Sequence, residues 1–426
     1  MRLLLPLLLV ACSASQTDRT ALMQQVLVAD NAVYRSRNPA LLQQKYARMA
    51  ADPYDFMRGT ATWFYTDVSR PNGPRSTAGD AADAGRTLLV GDPHPENLGT
   101  IRTGDVISVE WVDLDAVTWG PWTLDVRRAA LGLTALTAPL DDCACTEDAL
   151  RAFVDGYRSG LTDPTPPYGA IVNDVIEEAI EEGDEQRRLM RRTEVVDGTR
   201  RFLRTDGLDD DGRGMLDIPA SEEARTTRVI SHMAPDEWCV SDVVQRFGSG
   251  IASLPAERLN LLASPCDRDE PVLLQVREVF DPPPIPQPLP TAPPFESNAQ
   301  RLLAGFSLQA QLDPVADTCV DGPIAYKLTS AGSGFQTLDH ERVAEHWADG
   351  RLTSQDLIDL GYDLGHALAA AHHRSTSTVQ AATLLHDELV SIALADHQRL
   401  FADYLAFQAL LDTAGPVLGA DALVQP

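Results

Sequence analysis

Lysine is almost missing from this chain. Only Lys45 and Lys327 are lysines, and every other basic residue is an arginine. An Arg where a lysine is customary therefore carries an innocent explanation. Positive charge as a whole is scarce: 62 acidic residues against 35 basic ones give a net charge of −27. That balance argues against sequence-independent binding to nucleic acid. Long apolar runs are missing after residue 10, so no later segment reads as membrane-spanning. Cysteines are few, and the only close pair, Cys143 and Cys145, is a C-x-C without the second pair that a zinc site needs. What remains is a chain of 426 residues, 44% hydrophobic, long enough for a large core and two lobes.

The N-terminus is apolar. Arg2 precedes a run over residues 3–10 that ends Leu9-Val10-Ala11-Cys12, which resembles a bacterial lipobox and is too short for a transmembrane helix. Residues 1–12 are thus expected to be a lipoprotein signal with Cys12 lipidated, and residues 13–35 a partly helical tether. Ser13 stands where an Asp would hold a lipoprotein in the inner membrane, so the expectation is an exported protein anchored to the outer membrane by its lipid alone. Five cysteines remain after Cys12, an odd number, so at least one is free or paired with another chain. Cys239 and Cys266 flank two strand-like runs and are expected to form a disulfide.

The chain is organised around residues 88–125. Leu88-Leu89-Val90 reads as a buried strand and is followed by Gly91-Asp92-Pro93-His94-Pro95-Glu96-Asn97. Two strands over 98–102 and 106–112, separated by Thr103-Gly104-Asp105, deliver Asp113 and Asp115, and Asp125 opens a helix. One carboxylate here can take a hydroxyl proton, while a second carboxylate and an amide oxygen can hold Mg²⁺, which prefers oxygen ligands.

Gly91-Asp92-x-His94-Pro95-x-Asn97, Val112-Asp113-Leu114 and Asp125-Val126 resemble the catalytic loop, metal-binding strand and following motif of aminoglycoside phosphotransferases. Residues 56–59 (FMRG), 91–99 (GDPHPENLG), 113–128 and 273–278 (LLQVRE) resemble more closely a bacterial family known as domain-of-unknown-function family 2252. The resemblance implies an α+β, two-lobed, protein-kinase-like fold with circularly permuted segments, since the catalytic loop precedes the nucleotide-binding parts. It implies Asp92 as general base, Asn97 and Asp113 as Mg²⁺ ligands, and ATP or GTP as phosphate donor. Arg58, His94, Asp115, Asp125 and His372 are expected to support the site.

The nucleotide-binding parts follow later in the chain. Gly248-Ser249-Gly250 lies between expected strands over 240–246 and 258–262, and glycines let backbone amides approach phosphates. A third strand over 272–279 carries Arg277 where the look-alikes have Lys. In the following helix the partner Glu is replaced by Ala304. Residues 323–329 form another expected strand, in which Lys327 reads as an ordinary surface lysine or a retained site residue. The expected organisation is a first C-lobe part over 36–235, a nucleotide-binding part over 236–335, and C-lobe helices over 336–426.

Two functions compete. One is transfer of a nucleotide γ-phosphate to the hydroxyl of a small-molecule or protein acceptor. The other is a non-catalytic, kinase-shaped lipoprotein that binds a ligand or partner, which Arg277, Ala304 and the export signal favour. A metal-dependent hydrolase using Asp92, His94 and Asp113 is the weakest option, because the denser His/Asp ligand set of such sites is lacking.

Overall fold

The structure is a computed structural model. It describes residues 18–70, 86–163, 168–183, 185–209, 212–234, 238–248, 250–268, 270–279, 281–282, 295–311, 313, 315–331, 335–375 and 386–419. Cys12 with the expected signal, Ser249, and most of the proline-rich 281–294 lie outside the described residues.

The chain begins with helices α1 (residues 18–30), α2 (Ala32–Arg37), α3 (Pro39–Ala51), α4 (Pro53–Gly59) and α5 (Ala61–Ser69). Asp52 separates α3 from α4: its side chain accepts from the amides of Tyr54 and Asp55, and Pro53 suits the first helical position. The expected tether is, over its described part, built into the fold. Met23 and Leu27 of α1 are buried in the main core, and the Arg19 guanidinium grips both oxygens of Asp403 at 2.8 and 2.7 Å.

Next come β1 (Arg86–Leu89), β2 (Leu98–Thr103), β3 (Val106–Trp111), β4 (Thr118–Pro121), α6 (Trp122–Thr137), α7 (Thr146–Gly160), α8 (Ala170–Glu182) and α9 (Glu185–Arg192). β1 pairs with β4 and β2 with β3, both antiparallel. The charged stretch after residue 170 reads from sequence as one helix. It is two, because Gly183 adopts a φ of +84° and turns the chain.

The second half contains β5 (Thr193–Val196), β6 (Thr199–Phe202), β7 (Gly214–Leu216), α10 (Glu223–Met233), β8 (Trp238–Phe247), β9 (Arg258–Pro265) and β10 (Val272–Val279). It continues with α11 (Asn298–Gly305), β11 (Asp317–Asp321), β12 (Ile324–Ser330), α12 (His340–Ala348), α13 (Ser354–Ser375) and α14 (His386–Ala414). Six strands form one antiparallel sheet in the order β11-β12-β10-β9-β8-β7. Side chains alternate between its faces. Leu259, Leu261, Leu274, Val276 and Leu328 point to one face and pack against Val229 and Met233 of α10. Leu262 and Leu273 point to the other, against Leu189 of α9 and Phe202 of β6. The sheet-centred unit therefore starts well before the boundary expected at 236. Cys239 and Cys266 are disulfide-bonded at the end of the β8–β9 hairpin, with Cα atoms 4.9 Å apart; Cys143 and Cys145 form a second disulfide, and Cys319 is a free thiol. Among the described residues no helix is long and apolar enough to cross a membrane.

Helices α7 and α13 run against each other at the centre of the helical part. A Cβ on Gly156 would lie 2.0 Å from the carbonyl oxygen of Tyr362, and one on Gly365 would lie 2.0 Å from that of Phe153, so the approach demands glycine. Beside them Asp363 of α13 is buried and accepts from the amide of Gly169 at 2.9 Å. Burial pushes its carboxyl up to about 7, Asp359 adds to the rise, and the Gly169 amide opposes it. An acid whose folded pKa is raised binds more protons folded than unfolded, so its contribution to stability declines from about pH 4, the unfolded value, to pH 7. Asp363→Asn keeps an acceptor for Gly169 and removes the titration. Its stability relative to wild type, by urea denaturation, is expected to rise across pH 4–7 and level off above. A constant difference would show that Asp363 does not titrate in this window.

Candidate active site

β1 ends at Leu89, and the chain then turns through Gly91 at a φ of +87°. A Cβ there would fall 1.9 Å from the carbonyl oxygen of Ala116, so only glycine admits the turn. The amides of Val90 and Gly91 donate to the Asp125 carboxylate at 2.6 and 3.1 Å. Asp125 is fully buried in the first turn of α6, where the helix dipole favours an anion. Its oxygens also meet the Tyr65 hydroxyl at 3.3 Å and His372 Nε2 at 3.0 Å, and His372 Nδ1 meets the Tyr157 hydroxyl at 2.7 Å. Asp125 and His372 thus lie under the turn that carries Asp92.

Asp92 is buried, with one oxygen accepting from Arg128 Nε at 2.8 Å and the other 3.8 Å from His94 Nε2. Burial raises its pKa above the usual carboxylate value against the opposing pull of Arg128, and the nearby Asp113 charge raises it further. Burial, then the Arg58 and Arg128 charges, hold His94 well below its ordinary pKa, which favours the uncharged ring. The Asn97 side chain donates from Nδ2 to the Asp92 carbonyl at 2.8 Å. Its amide oxygen is left facing away from that bond. Arg58 bonds Glu96 of the same loop at 2.7 Å and Asp55 at 2.8 Å. Glu96 is also paired with His340.

The β3–β4 connection sets Asp113 and Asp115 against the six-stranded sheet. Arg277 of β10 reaches Asp115 at 2.9 Å and Asp113 at 3.2 Å. Lys327 of β12 pairs with Asp115 and lies 3.9 Å from Asp113. Although burial opposes ionisation, Arg277, Lys327 and Arg258 hold the Asp113 carboxyl below its usual pKa, and it remains a third exposed at 34%. α11 offers no Glu to this cluster. Its Arg301 instead donates to the carbonyls of Asp115 and Val117 at 2.9 and 2.6 Å, tying the helix to the carboxylate loop.

Gly248 and Gly250, with φ of +77° and +72°, form the β8–β9 turn, and a Cβ on Gly248 would sit 2.6 Å from the Arg213 Cα. The turn borders an open cleft of about 490 Å³, which Arg58, Glu96 and His340 also line. That size suits a small-molecule ligand. The cleft is lined by Glu96 of the loop after β1 but not by Asp92 or Asp113, so the glycines and these carboxylates do not line one space.

The structure brings together Asp92, His94, Asn97, Asp113, Asp115 and Arg277, with Asp125, His372 and Arg58 behind them. Three further residues belong to the constellation: Arg128, Lys327 and Arg258. Arg128 ends the 113–128 stretch that resembles the bacterial family, and Lys327 is marked only by the rarity of lysine.

Residues 37–410 match a family described as uncharacterized proteins conserved in bacteria (DUF2252). The chain belongs to that family. No curated protein and no solved structure matches it. The match takes in the loop after β1, the six-stranded sheet, α13 and most of α14.

Proposed function

We propose that the chain is a Mg²⁺-dependent phosphotransferase with a permuted kinase-like fold, which moves the γ-phosphate of ATP or GTP to a hydroxyl acceptor and is carried on a lipid anchored at Cys12. The observation that carries this reading is the pair Asp113 and Asp115 set against Arg277 and Lys327, beside a loop whose Asp92 feels the Asp113 charge. The donor set suits a hard cation: Asp113 is partly exposed, and the Asn97 amide is turned so that its oxygen is available. Asn97 and Asp113 would hold Mg²⁺, which when bound supplies charge neutralisation for the phosphates. Asp92 has one oxygen committed to Arg128 and the other available for a hydroxyl proton. Its raised pKa strengthens it as a base. Arg277 neutralises charge on the transferring phosphate.

A non-catalytic ligand-binding protein is the second reading. It is favoured by the ion pairs that Arg277 and Lys327 make with both metal-site carboxylates, because a cation must compete with them. Melting curves with ATP, with GTP, and with each plus Mg²⁺ separate the two. The phosphotransferase reading expects a rise in melting temperature that needs nucleotide and Mg²⁺ together, by mass action. No rise under any of these conditions would leave the second reading.

A further inference from the structure

Both lysines of this chain are buried. Lys45 is 1% exposed and donates to Asn31 Oδ1 at 2.8 Å, a local contact within the helical core. Lys327 is 5% exposed and lies on the sheet face that meets Asp113 and Asp115. Its register partner on β10 is Arg277, and the partner of Arg277 on β9 is Arg258. Arg246 of β8 follows Gln245, which pairs with Leu259, so the two-residue alternation puts Arg246 on the face of Arg258. Neighbouring strands are about 4.8 Å apart, so these four cations form a rank about 14 Å long.

The rank carries more positive charge than its surroundings neutralise. Among the described residues, neither Arg246 nor Arg258 has a carboxylate within ion-pair distance, and the Arg258 guanidinium bonds only the hydroxyl of Ser253, in the glycine turn. Burial, then Arg277, pulls Arg258 down to about 9; burial, then Arg192 and Arg188, pulls Arg246 down to about 10. Buried uncompensated charge is unfavourable, and a polyanion along the rank would offset it. In a protein of net charge −27, this face is built against the general trend.

We propose that the rank is a polyphosphate-binding surface running from the glycine turn to Asp113, and that Lys327 grips the phosphate nearest Asp113. This rests on the phosphotransferase reading and changes one assignment in it. Arg277 and Lys327 both pair with Asp115 beside Asp113, but Lys327 is a compact ammonium with three donors, of which two carboxylates leave at least one for a phosphate. An arginine fork has different reach and shape, which accounts for a lysine kept here while arginine serves almost everywhere else.

Titration of ATP, of inorganic tripolyphosphate and of adenosine into wild type, Lys327→Met and Lys327→Arg tests the assignment. Loss of a charge-assisted contact corresponds to about 10–100-fold weaker binding. Lys327→Met is expected to weaken ATP and tripolyphosphate by that factor and to leave adenosine, which has no phosphate, unchanged. Lys327→Arg keeps the charge and is expected to weaken both anions by a smaller factor. Wild-type tripolyphosphate affinity in Lys327→Met would overturn the role of Lys327 while leaving the phosphotransferase reading intact. So would a parallel loss of adenosine binding, which signals distortion of the whole site. Should Lys327→Met fail to fold, Lys327→Arg decides: wild-type tripolyphosphate affinity there removes the case for the ammonium. A wild type that takes up neither ATP nor tripolyphosphate would remove both proposals.

Discussion

Asp92→Asn is expected to bind Mg²⁺-nucleotide as wild type does and to transfer phosphate about 10²–10⁴-fold more slowly, the range set by general acid–base help. Asparagine keeps an oxygen for Arg128 Nε, so the loop retains its 2.8 Å anchor, but it cannot take a proton. Asp113→Asn is expected to fail differently. It removes a carboxylate from the metal set and weakens the opposition to Arg277 and Lys327. Nucleotide affinity without Mg²⁺ should therefore hold or increase, while the gain produced by Mg²⁺ disappears and turnover falls with it. Calorimetric titration of each variant at several Mg²⁺ concentrations separates these patterns. Product formation on a panel of small hydroxyl compounds, with the protein itself included as acceptor, gives the turnover. A wild type that binds no nucleotide at any Mg²⁺ level rules out phosphate transfer. Nucleotide binding that neither substitution alters would make the stretch around Asp92 and Asp113 structural.

Local patterns were more legible in the sequence than distant partnerships, of which the family resemblance supplied only a few, such as His372 with Asp125. Four of the sheet's six strands, β8, β9, β10 and β12, stand within a few residues of their expected places, because alternating apolar residues between turn signals reflect burial on alternate sides, whereas the short edge strands β7 and β11 carry no such signal. The mixed α+β class was implied by the family resemblance, and the structure has that mixture. The β1 turn and both aspartates after β3 were legible because Gly91, Asp92, Asn97 and Asp113 cluster within one short stretch. Lys327 was ambiguous because its carboxylate partners come from a loop far upstream, and nothing adjacent to a lone lysine on a strand distinguishes a buried ion pair from a surface position. Nothing beside Arg128 in the sequence marks its role, since its partner Asp92 lies 36 residues away. The expected tether misled for another reason. α1 carries Leu22, Met23, Val26, Leu27 and Val28 at helical spacing, a core-facing pattern that the nearby apolar N-terminal run overshadows; Met23 and Leu27 are buried, and Asp403 holds Arg19 from the far end of the chain. Gly183 is the one sequence signal that divides the charged stretch after residue 170, and the run of charged residues on both sides masks it.

Arg128→Met is expected to cost about 3–5 kcal/mol, the usual penalty for removing one partner of a buried ion pair. Arg128 is fully buried, bonds Asp92 at 2.8 Å and the Met57 carbonyl at 2.8 Å, and lies 5.2 Å from the Phe64 ring centre. Methionine replaces most of the aliphatic stem, so the chief loss is electrostatic: Asp92 stays buried without its counter-charge. Burial already raises the Asp92 pKa, and Arg128 is the largest influence that lowers it. Without Arg128 the folded-state pKa rises further above the unfolded value, and protonation relieves the penalty. The variant's deficit against wild type should thus be largest near neutral pH and shrink as pH falls toward 4. Urea denaturation across this range measures it. Adding Asp92→Leu to Arg128→Met removes the unpaired charge as well, and the double variant is expected to be more stable than Arg128→Met at pH 7 though inactive. Equal urea midpoints for the single and double variants would mean that lost packing, rather than an unpaired carboxylate, is what Arg128 prevents.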